Sequence, residues 1–229
     1  KIPGMIIRGV AFDIDGTLYS NPRFYLHSLV HGLRNVRLMS HFRAVRKAIR
    51  RVRPVADFHA LQRSMLASSM SISESRADRL IAERFYRKSE DLLAAVPLFP
   101  EVRSTLRSLR ELGIKLAAAS DFPVERKLRL LGLTDAFDCA YSTEDTGYLK
   151  PNPEAFAPLS ECLDLPPNEI LYVGNSYHYD VIGASEAGFR TAHITRVPMR
   201  DSAADLSFYR YATLLQWTRE RVPRETRIP

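Results

Sequence analysis

The chain has 229 residues, and its composition, 45% apolar and 26% charged, is typical of a globular protein with a sizeable buried core. No apolar run approaches the ~18 residues that cross a bilayer, and no signal peptide is recognised, so we expect a cytoplasmic protein without a membrane span. The two cysteines, Cys139 and Cys162, match no metal-binding spacing and form no disulfide framework, which predicts a reducing compartment.

The net charge of +7 is concentrated in one internal segment. Residues 21–96 contain 15 Lys and Arg but six Asp and Glu, a net charge of +9, whereas the rest of the chain carries −2. The positive charge of this segment therefore needs an explanation of its own.

Outside that segment, stretches rich in β-branched residues alternate with stretches of helical periodicity. This alternation predicts βαβ units, and hence an α/β fold with a Rossmann-like parallel sheet and helices on both faces. Predicted strands cover residues 5–12, 114–120, 137–142, 169–174, 190–195 and 206–210. Predicted helices cover residues 100–113, 124–133, 153–165, 180–188 and 212–220.

The basic segment contains helical patterns and no strand pattern. Asn21 and Pro22 are typical of a helix start, and Ser71 with Glu74 forms a capping-box pattern at the start of a later helix. We therefore expect an all-helical insertion after the first strand. The expected division is an α/β core of residues 5–19 and 97–219, a helical cap of residues 20–96, and a loose tail of residues 220–229.

Polar side chains follow four of the predicted strands, at the point where each strand ends. The carboxyl ends of parallel strands meet at one sheet edge, which is where such sheets bind ligands. We therefore expect these side chains to form one site. They are Asp13 and Asp15 after the first strand, Ser120 after the second, Lys150 after the third, and Asn175 with Asp180 after the fourth.

Asp13 and Asp15 are separated by one residue at the end of the apolar run MIIRGVAF. The period of two along a strand sends both carboxylates to one side. Two buried like charges are costly unless a cation or a shared proton offsets them, whereas a plain Asx turn would need no such partner.

These motifs resemble those of the haloacid dehalogenase-like superfamily of hydrolases, in the order in which that family carries them. DIDGT at residues 13–17 resembles the first motif, Ser120 the second, and Lys150 in KPNPEAF the third. GNSYHYD at residues 174–180 resembles the fourth motif, although Asn175 stands where the family commonly has an acid. The resemblance implies a C1-type cap between the first two motifs.

The resemblance also implies the chemistry. Asp13 would attack phosphorus and form an aspartyl-phosphate, and Asp15 would act as general acid and then general base. We expect the pKa of Asp15 to be raised by the nearby Asp13. The phosphoryl group would be bound by Gly16, Thr17, Ser120, Asp121 and Lys150, with Asp121 beside the site rather than essential to it.

The implied cofactor is Mg²⁺, which prefers hard oxygen ligands. The implied ligands are an Asp13 carboxylate oxygen, the Asp15 main-chain carbonyl, Asn175 and Asp180. An amide at position 175 removes one negative charge from this set, so we expect a weakened metal site.

The residues thus predict a Mg²⁺-dependent phosphatase that acts on a small phosphorylated metabolite. A phosphomutase or another phosphotransferase uses the same aspartyl-phosphate and remains open. Asp15 argues against a dehalogenase, which has no leaving alcohol to protonate. A phosphonatase would need a cap lysine, and we expect Lys47 and Lys88 to be solvated. A protein that has lost catalysis is opposed by the presence of Asp13, Asp15, Ser120, Lys150 and Asp180.

A nucleic-acid or acidic-partner binding protein is the alternative from another class. That alternative rests on the run RNVRLMSHFRAVRKAIRRVRP at residues 34–54, which is basic at helical spacing and could follow phosphates. Within this run, the four residues that bear on a role of the cap at the site are Arg43, Arg46, Lys47 and Arg50. They share one helical stripe opposite the packing face of residues 42–49, which favours a solvated outer face. The alternative is that the stripe faces the site and steers anions towards it.

Overall fold

One parallel sheet carries the fold. The computed structural model describes residues 5–223, apart from the side chains of residues 30 and 31, and within them the strand order is β3-β2-β1-β4-β5-β6. Each neighbouring pair is parallel, as predicted. The strands are β1 (Gly9–Phe12), β2 (Lys115–Ser120), β3 (Cys139–Ser142), β4 (Ile170–Gly174), β5 (Arg190–Ile194) and β6 (Leu206–Phe208).

The order in which successive strands are added to the sheet reverses at β1. β1 pairs with β2 on one side and with β4 on the other, so the carboxyl end of β1 lies at the centre of the sheet edge. Ligands of open parallel sheets bind at such a switch point. Asp13 and Asp15 follow β1 directly and therefore lie there.

Helices cover both faces of the sheet, which confirms the predicted fold class. Alternate residues of β1 point to opposite faces, so Val10 and Phe12 pack in one apolar cluster and Ala11 in another. The helices on the first face are α6 (Val102–Glu111), α7 (Glu125–Leu130) and α10 (Tyr211–Arg219). On the second face lie α8 (Ala157–Leu163) and α9 (Gly183–Glu186).

All helices between β1 and β2, other than α6, belong to one insertion with its own apolar cluster, here called the helical insertion (residues 21–93). It comprises α1 (Asn21–Arg34), α2 (Val36–Ile49), α3 (Phe58–Met70), α4 (Glu74–Leu80), a π-helical segment Ile81–Arg87, and α5 (Lys88–Leu93).

One local prediction about a helix start was wrong. The helix expected to start at Ser71 is capped instead by Ser73, whose side chain accepts a hydrogen bond from the Arg76 N–H, while Ser71 ends α3 in a left-handed conformation. Asn152 stands at the N-cap of the turn Pro153–Phe156, where the predicted helix of residues 153–165 begins, but its side chain does not cap that turn, since Nδ2 donates to the carbonyls of Arg50 and Leu149. The contact with Arg50 arises because the insertion packs against this loop.

The expectation of unpaired cysteines was also wrong. Cys139 in β3 and Cys162 in α8 form a disulfide, with their Cα atoms 6.4 Å apart. Their separation of 23 positions along the chain hides this proximity in the sequence. The cysteines therefore give no support for a reducing compartment.

None of the helices within residues 5–223 is long and apolar enough to span a bilayer. The predicted tail, residues 220–229, lies outside the described residues from residue 224 onwards.

Candidate active site

Asp13 is buried at the centre of the carboxyl edge of the sheet. Its Oδ1 accepts a hydrogen bond from Lys150 Nζ at 2.7 Å, and its Oδ2 accepts one from the Thr17 hydroxyl at 2.9 Å. Burial, reinforced by the negative charges of Asp180 and Asp15, raises the pKa of Asp13 to about 7, although Lys150 opposes the shift. The Asp13 carboxylate is therefore held in a fixed position next to one ammonium group.

Lys150 brings the third and fourth motifs to Asp13. Its Nζ lies 2.8 Å from Asp180 Oδ1 and 3.1 Å from the Tyr172 hydroxyl, and only 4% of its side chain is exposed. Burial alone would lower the pKa of Lys150, but the attraction of Asp13 and Asp180 outweighs it and raises that pKa well above its usual value. Lys150 thus stays a cation between two carboxylates.

Asp15 has a different set of partners, two of which the sequence did not reveal. Its Oδ2 accepts hydrogen bonds from Ser120 Oγ at 2.7 Å and from Lys127 Nζ at 2.5 Å, and its Oδ1 accepts one from the Tyr19 hydroxyl. Burial would raise the pKa of Asp15, but Lys127 and these hydrogen bonds outweigh burial and lower it. The expectation of a raised pKa was wrong, because Lys127, not Asp13, is the dominant charged neighbour.

The contacts of Lys127 and Tyr19 with Asp15 could not be predicted from the sequence. Lys127 lies in the α7 sequence ERKLRL between Arg126 and Arg129, and no local pattern separates the three cations. The structure does: Lys127 is 7% exposed, whereas Arg126 pairs on the surface with Glu90 and Asp91.

Gly16 is required by space as well as by conformation. Its φ is +92°, and a Cβ there would lie 2.2 Å from Asn21 Nδ2 and 2.8 Å from Asn175 Nδ2. The neighbouring Thr17 is fully buried, and its hydroxyl lies between Asp13 Oδ2 and Asn175 Oδ1, 3.3 Å from the latter. Thr17 thereby links the first motif to the fourth.

Ser120 and Asp121 are turned towards protein groups. Ser120 Oγ, besides donating to Asp15, accepts a hydrogen bond from the Phe122 N–H at 3.1 Å. The Asp121 carboxylate accepts hydrogen bonds from Arg50 at 2.5 Å and Thr143 at 2.7 Å, and from the Lys150 N–H at 3.3 Å. Asp121 thus braces the loop that carries Lys150.

Several of the predicted metal ligands present oxygen atoms near Gly16. The Thr17 hydroxyl is hydrogen-bonded to Asp13 Oδ2 and to Asn175 Oδ1. The main-chain carbonyl of Asp15, directly before Gly16, is the third oxygen, and Asn21 Nδ2 lies 3.5 Å from it. Oxygen donors of this kind suit Mg²⁺. Within residues 5–223 no group of three or more His, Cys, Asp and Glu side chains is placed as for a metal.

Asp180 has both carboxylate oxygens engaged by the protein. Oδ1 accepts from Lys150, and Oδ2 accepts from the Ser176 N–H at 2.9 Å. A Cβ on residue 174 would lie 2.3 Å from Asp180 Cβ, so glycine at this position makes the space that the Asp180 side chain occupies at the end of β4. Asp180 is thus positioned to hold Lys150 and the turn after β4.

Two residues of the basic stripe of α2, Arg46 and Arg50, do not face solvent as expected. Arg46 is 3% exposed and donates to Glu144 and to the Asp121 carbonyl, both outside the insertion. Arg50 donates to the Asp121 carboxylate and, at 2.9 Å, to the Lys150 carbonyl. The prediction of an outer face was wrong for Arg46 and Arg50, because both pack against acidic and carbonyl groups beside the site, whereas Arg43 and Lys47 are exposed. Arg46 and Arg50 are not available to a nucleic acid.

A cleft of about 520 Å³ opens beside Asp15, between the helical insertion and the sheet edge. Its walls combine apolar side chains of the insertion with the stripe of α2. The apolar lining includes Phe24, Tyr25, Met39, Phe42, Phe85 and Phe122. The charged lining comprises Asp15, Arg43, Arg46, Lys47, Arg50, Glu90 and Lys127. Lys47, which we expected to be merely solvated, thus lines the cleft.

Comparisons with known proteins agree with this architecture. The chain is 29% identical over 196 residues to pyrophosphatase PpaX of Bacillus cereus (strain G9842), covering 83% of this chain and 84% of that protein. It is 28% identical over 205 residues to the glyceraldehyde 3-phosphate phosphatase of Methanopyrus kandleri, covering 86% of this chain and 87% of that protein.

The fold itself is that of a solved L-2-haloacid dehalogenase from Xanthobacter autotrophicus, with a TM-score of 0.68 over 93% of this chain and 99% of that one. At 21% identity this likeness concerns the fold alone. The model of the haloacid dehalogenase-like hydrolase family matches residues 7–188, which include all four motifs. The chain therefore belongs to the haloacid dehalogenase-like hydrolases.

Proposed function

We propose that this hydrolase is a Mg²⁺-dependent phosphatase that cleaves a small phosphorylated metabolite through an aspartyl-phosphate on Asp13. The observation that carries the proposal is the pair of unequal carboxylates at the end of β1. Asp13 is held by Lys150 and Thr17, whereas Asp15 is held by Ser120, Lys127 and Tyr19 and borders the cleft. The names of the two relatives, a pyrophosphatase and a sugar-phosphate phosphatase, support the same reaction class.

The proposed roles follow from these positions. An Asp13 oxygen attacks phosphorus as the bond to the leaving oxygen breaks. Asp15, ionised beside Lys127 in the free enzyme, takes up a proton when the substrate dianion binds and donates it to that oxygen. Water then attacks the acyl phosphate, Asp15 accepts its proton, and inorganic phosphate leaves with Asp13 restored. Lys150 compensates the charge of the phosphoryl oxygens close to Asp13.

Asp13, the Asp15 carbonyl and Asn175 would hold Mg²⁺, with Asp180 binding directly or through water. The cation, when bound, supplies positive charge that offsets the repulsion between a phosphate dianion and the attacking carboxylate. Gly16 keeps the main chain close to this point, and Ser120 orients Asp15. We further propose that residues 5–19 and 97–219 act as the catalytic core and residues 20–96 as the cap that excludes water.

Hydrolysis of p-nitrophenyl phosphate with Mg²⁺ tests the assignment. We expect Asp13→Asn and Asp15→Asn each to lower kcat/KM by about 10³-fold or more, because each removes a group that reacts. The exposed Asp201→Asn is the matched control and should retain activity. Turnover of Asp13→Asn within tenfold of the wild type would refute the nucleophile assignment. Release of one inorganic phosphate per ester cleaved separates a phosphatase from a phosphomutase.

The metal proposal has a separate test. Chelation by EDTA should abolish turnover, and added Mg²⁺ should restore it. Asn175→Asp adds a charged ligand and should lower the Mg²⁺ concentration at half-maximal activity, whereas Asp180→Ala should raise it. If the Mg²⁺ dependence of Asp180→Ala equals that of the wild type, Asp180 is not a metal ligand and its role is to position Lys150. The cytoplasmic location stays a prediction, which cell fractionation would test.

A further inference from the structure

The cleft beside Asp15 is larger than a three-carbon sugar or a phosphate group requires. Its volume of about 520 Å³ lies in the range of sites that enclose molecules with rings, roughly 300–1,000 Å³. Aromatic and thioether side chains from α1, α2 and the π-helical segment form much of its wall. Such a wall favours a leaving group with a flat, apolar body.

The cations of the cleft divide into two groups. Arg46 is paired with Glu144, Arg50 with Asp121, and Lys127 with Asp15. Arg43 and Lys47 are exposed to the cleft, and no ion pair joins either of them to another described residue within residues 5–223. Their two positive charges are therefore free to meet an anion that enters with the substrate.

Their place along α2 sets the distance of that anion from the phosphate. Arg50 donates to the Lys150 carbonyl, so the carboxyl end of α2 lies at the phosphate-binding edge. At a rise of 1.5 Å per residue, Lys47 and Arg43 lie about 4 to 10 Å further along the helix axis. They are one turn apart and share one face, which allows both to bind a single carboxylate or phosphate.

We infer that the preferred substrate is a phosphate monoester whose leaving group has an apolar, ring-sized body and a second anion at its far end, bound by Arg43 and Lys47. This inference rests on the proposed function. It also separates this chain from the relatives named above: in pyrophosphate the second anion is adjacent to the first, and the leaving group of glyceraldehyde 3-phosphate is neutral. Neither would place a charge near Arg43.

Two esters of equal shape test the inference. In 4-carboxyphenyl phosphate the ring carries a distal carboxylate, and in 4-carbamoylphenyl phosphate it carries a neutral amide of the same size. We expect kcat/KM of the wild type to favour the carboxylate by about tenfold or more, because charge-assisted hydrogen bonds are stronger than neutral ones. The double variant Arg43→Gln/Lys47→Gln should lose this preference, because kcat/KM falls more for the carboxylate ester than for the amide ester.

A charge-matched control isolates the local effect. Arg37→Gln/Arg51→Gln removes two positive charges from exposed positions that do not line the cleft, one in the first turn of α2 and one two residues beyond its end, and should keep the preference. Arg43→Lys/Lys47→Arg retains both charges and should keep it as well. Equal kcat/KM of the wild type for the two esters would overturn the inference, and so would an equal loss of the preference in the Arg37→Gln/Arg51→Gln control. Either result would leave the proposed phosphatase function standing. Failure to cleave either ester would overturn both.

Discussion

The buried ion pair of Arg46 with Glu144 allows the effect of its removal on the free energy of unfolding to be predicted. The two side chains are 4% and 1% exposed, and they join α2 of the helical insertion to the loop after β3. Burial raises the pKa of Glu144 even though Arg46 opposes the shift, so desolvation of this carboxylate exceeds the attraction of its partner. The pair as a whole therefore contributes little net free energy, but either member alone would be costly.

We predict a non-additive double-mutant cycle. Arg46→Met leaves a buried carboxylate with the Tyr86 hydroxyl as its remaining side-chain partner and should lower the free energy of unfolding by about 3–5 kcal/mol. Glu144→Leu should cost less, about 2–3 kcal/mol, because Arg46 keeps its hydrogen bonds to Gln62 and to the Asp121 carbonyl. The double variant should be more stable than Arg46→Met alone.

Urea unfolding followed by circular dichroism gives the free energy of unfolding of the wild type and the three variants, and thermal unfolding gives their Tm. Since 1 kcal/mol shifts Tm by about 2–4 °C in a domain of this size, Arg46→Met should melt about 10 °C below the wild type. The exposed pair of Arg63 with Glu74 is the matched control, and Arg63→Met should change the free energy of unfolding by less than about 1 kcal/mol. Additive costs in the Arg46 cycle would refute this reasoning, because they would mean that the two groups do not depend on each other.

Much of the fold was predictable because its signals are local. Strand and helix periodicities, glycines at helix ends and the polar residues after four strands all lie within short windows. They predicted the parallel sheet, the place of the insertion and the residues that meet at the sheet edge. The short β6 was found in the same way.

The errors share a different physical cause. Helical periodicity showed that Arg46 and Arg50 lie opposite the packing face of α2, but it did not show that a second surface covers them. That surface comes from Asp121 and Glu144, 71 or more residues away in the chain. The lowered pKa of Asp15 likewise depends on Lys127, 112 residues distant. Electrostatic partners of this kind are fixed by tertiary structure and leave no periodic trace.

Three further predictions follow from the packing around Asp15 and the sheet edge. Gly16→Ala should abolish activity on p-nitrophenyl phosphate, because its Cβ would overlap two asparagine side chains and its φ is positive; retention of more than a tenth of the activity would contradict this. The native protein should show no reactive thiol to Ellman's reagent, and two after reduction and denaturation, since Cys139 and Cys162 are paired; two thiols without reductant would contradict the pairing. Lys127→Met should lower kcat/KM by about 10²-fold, because Asp15 Oδ2 loses the ammonium that fixes it 2.5 Å away, and catalytic groups that lose their alignment lose rate on this scale. Arg126→Met, the adjacent surface residue, is its control, and equal losses in the two variants would show that the position of Asp15 does not depend on Lys127.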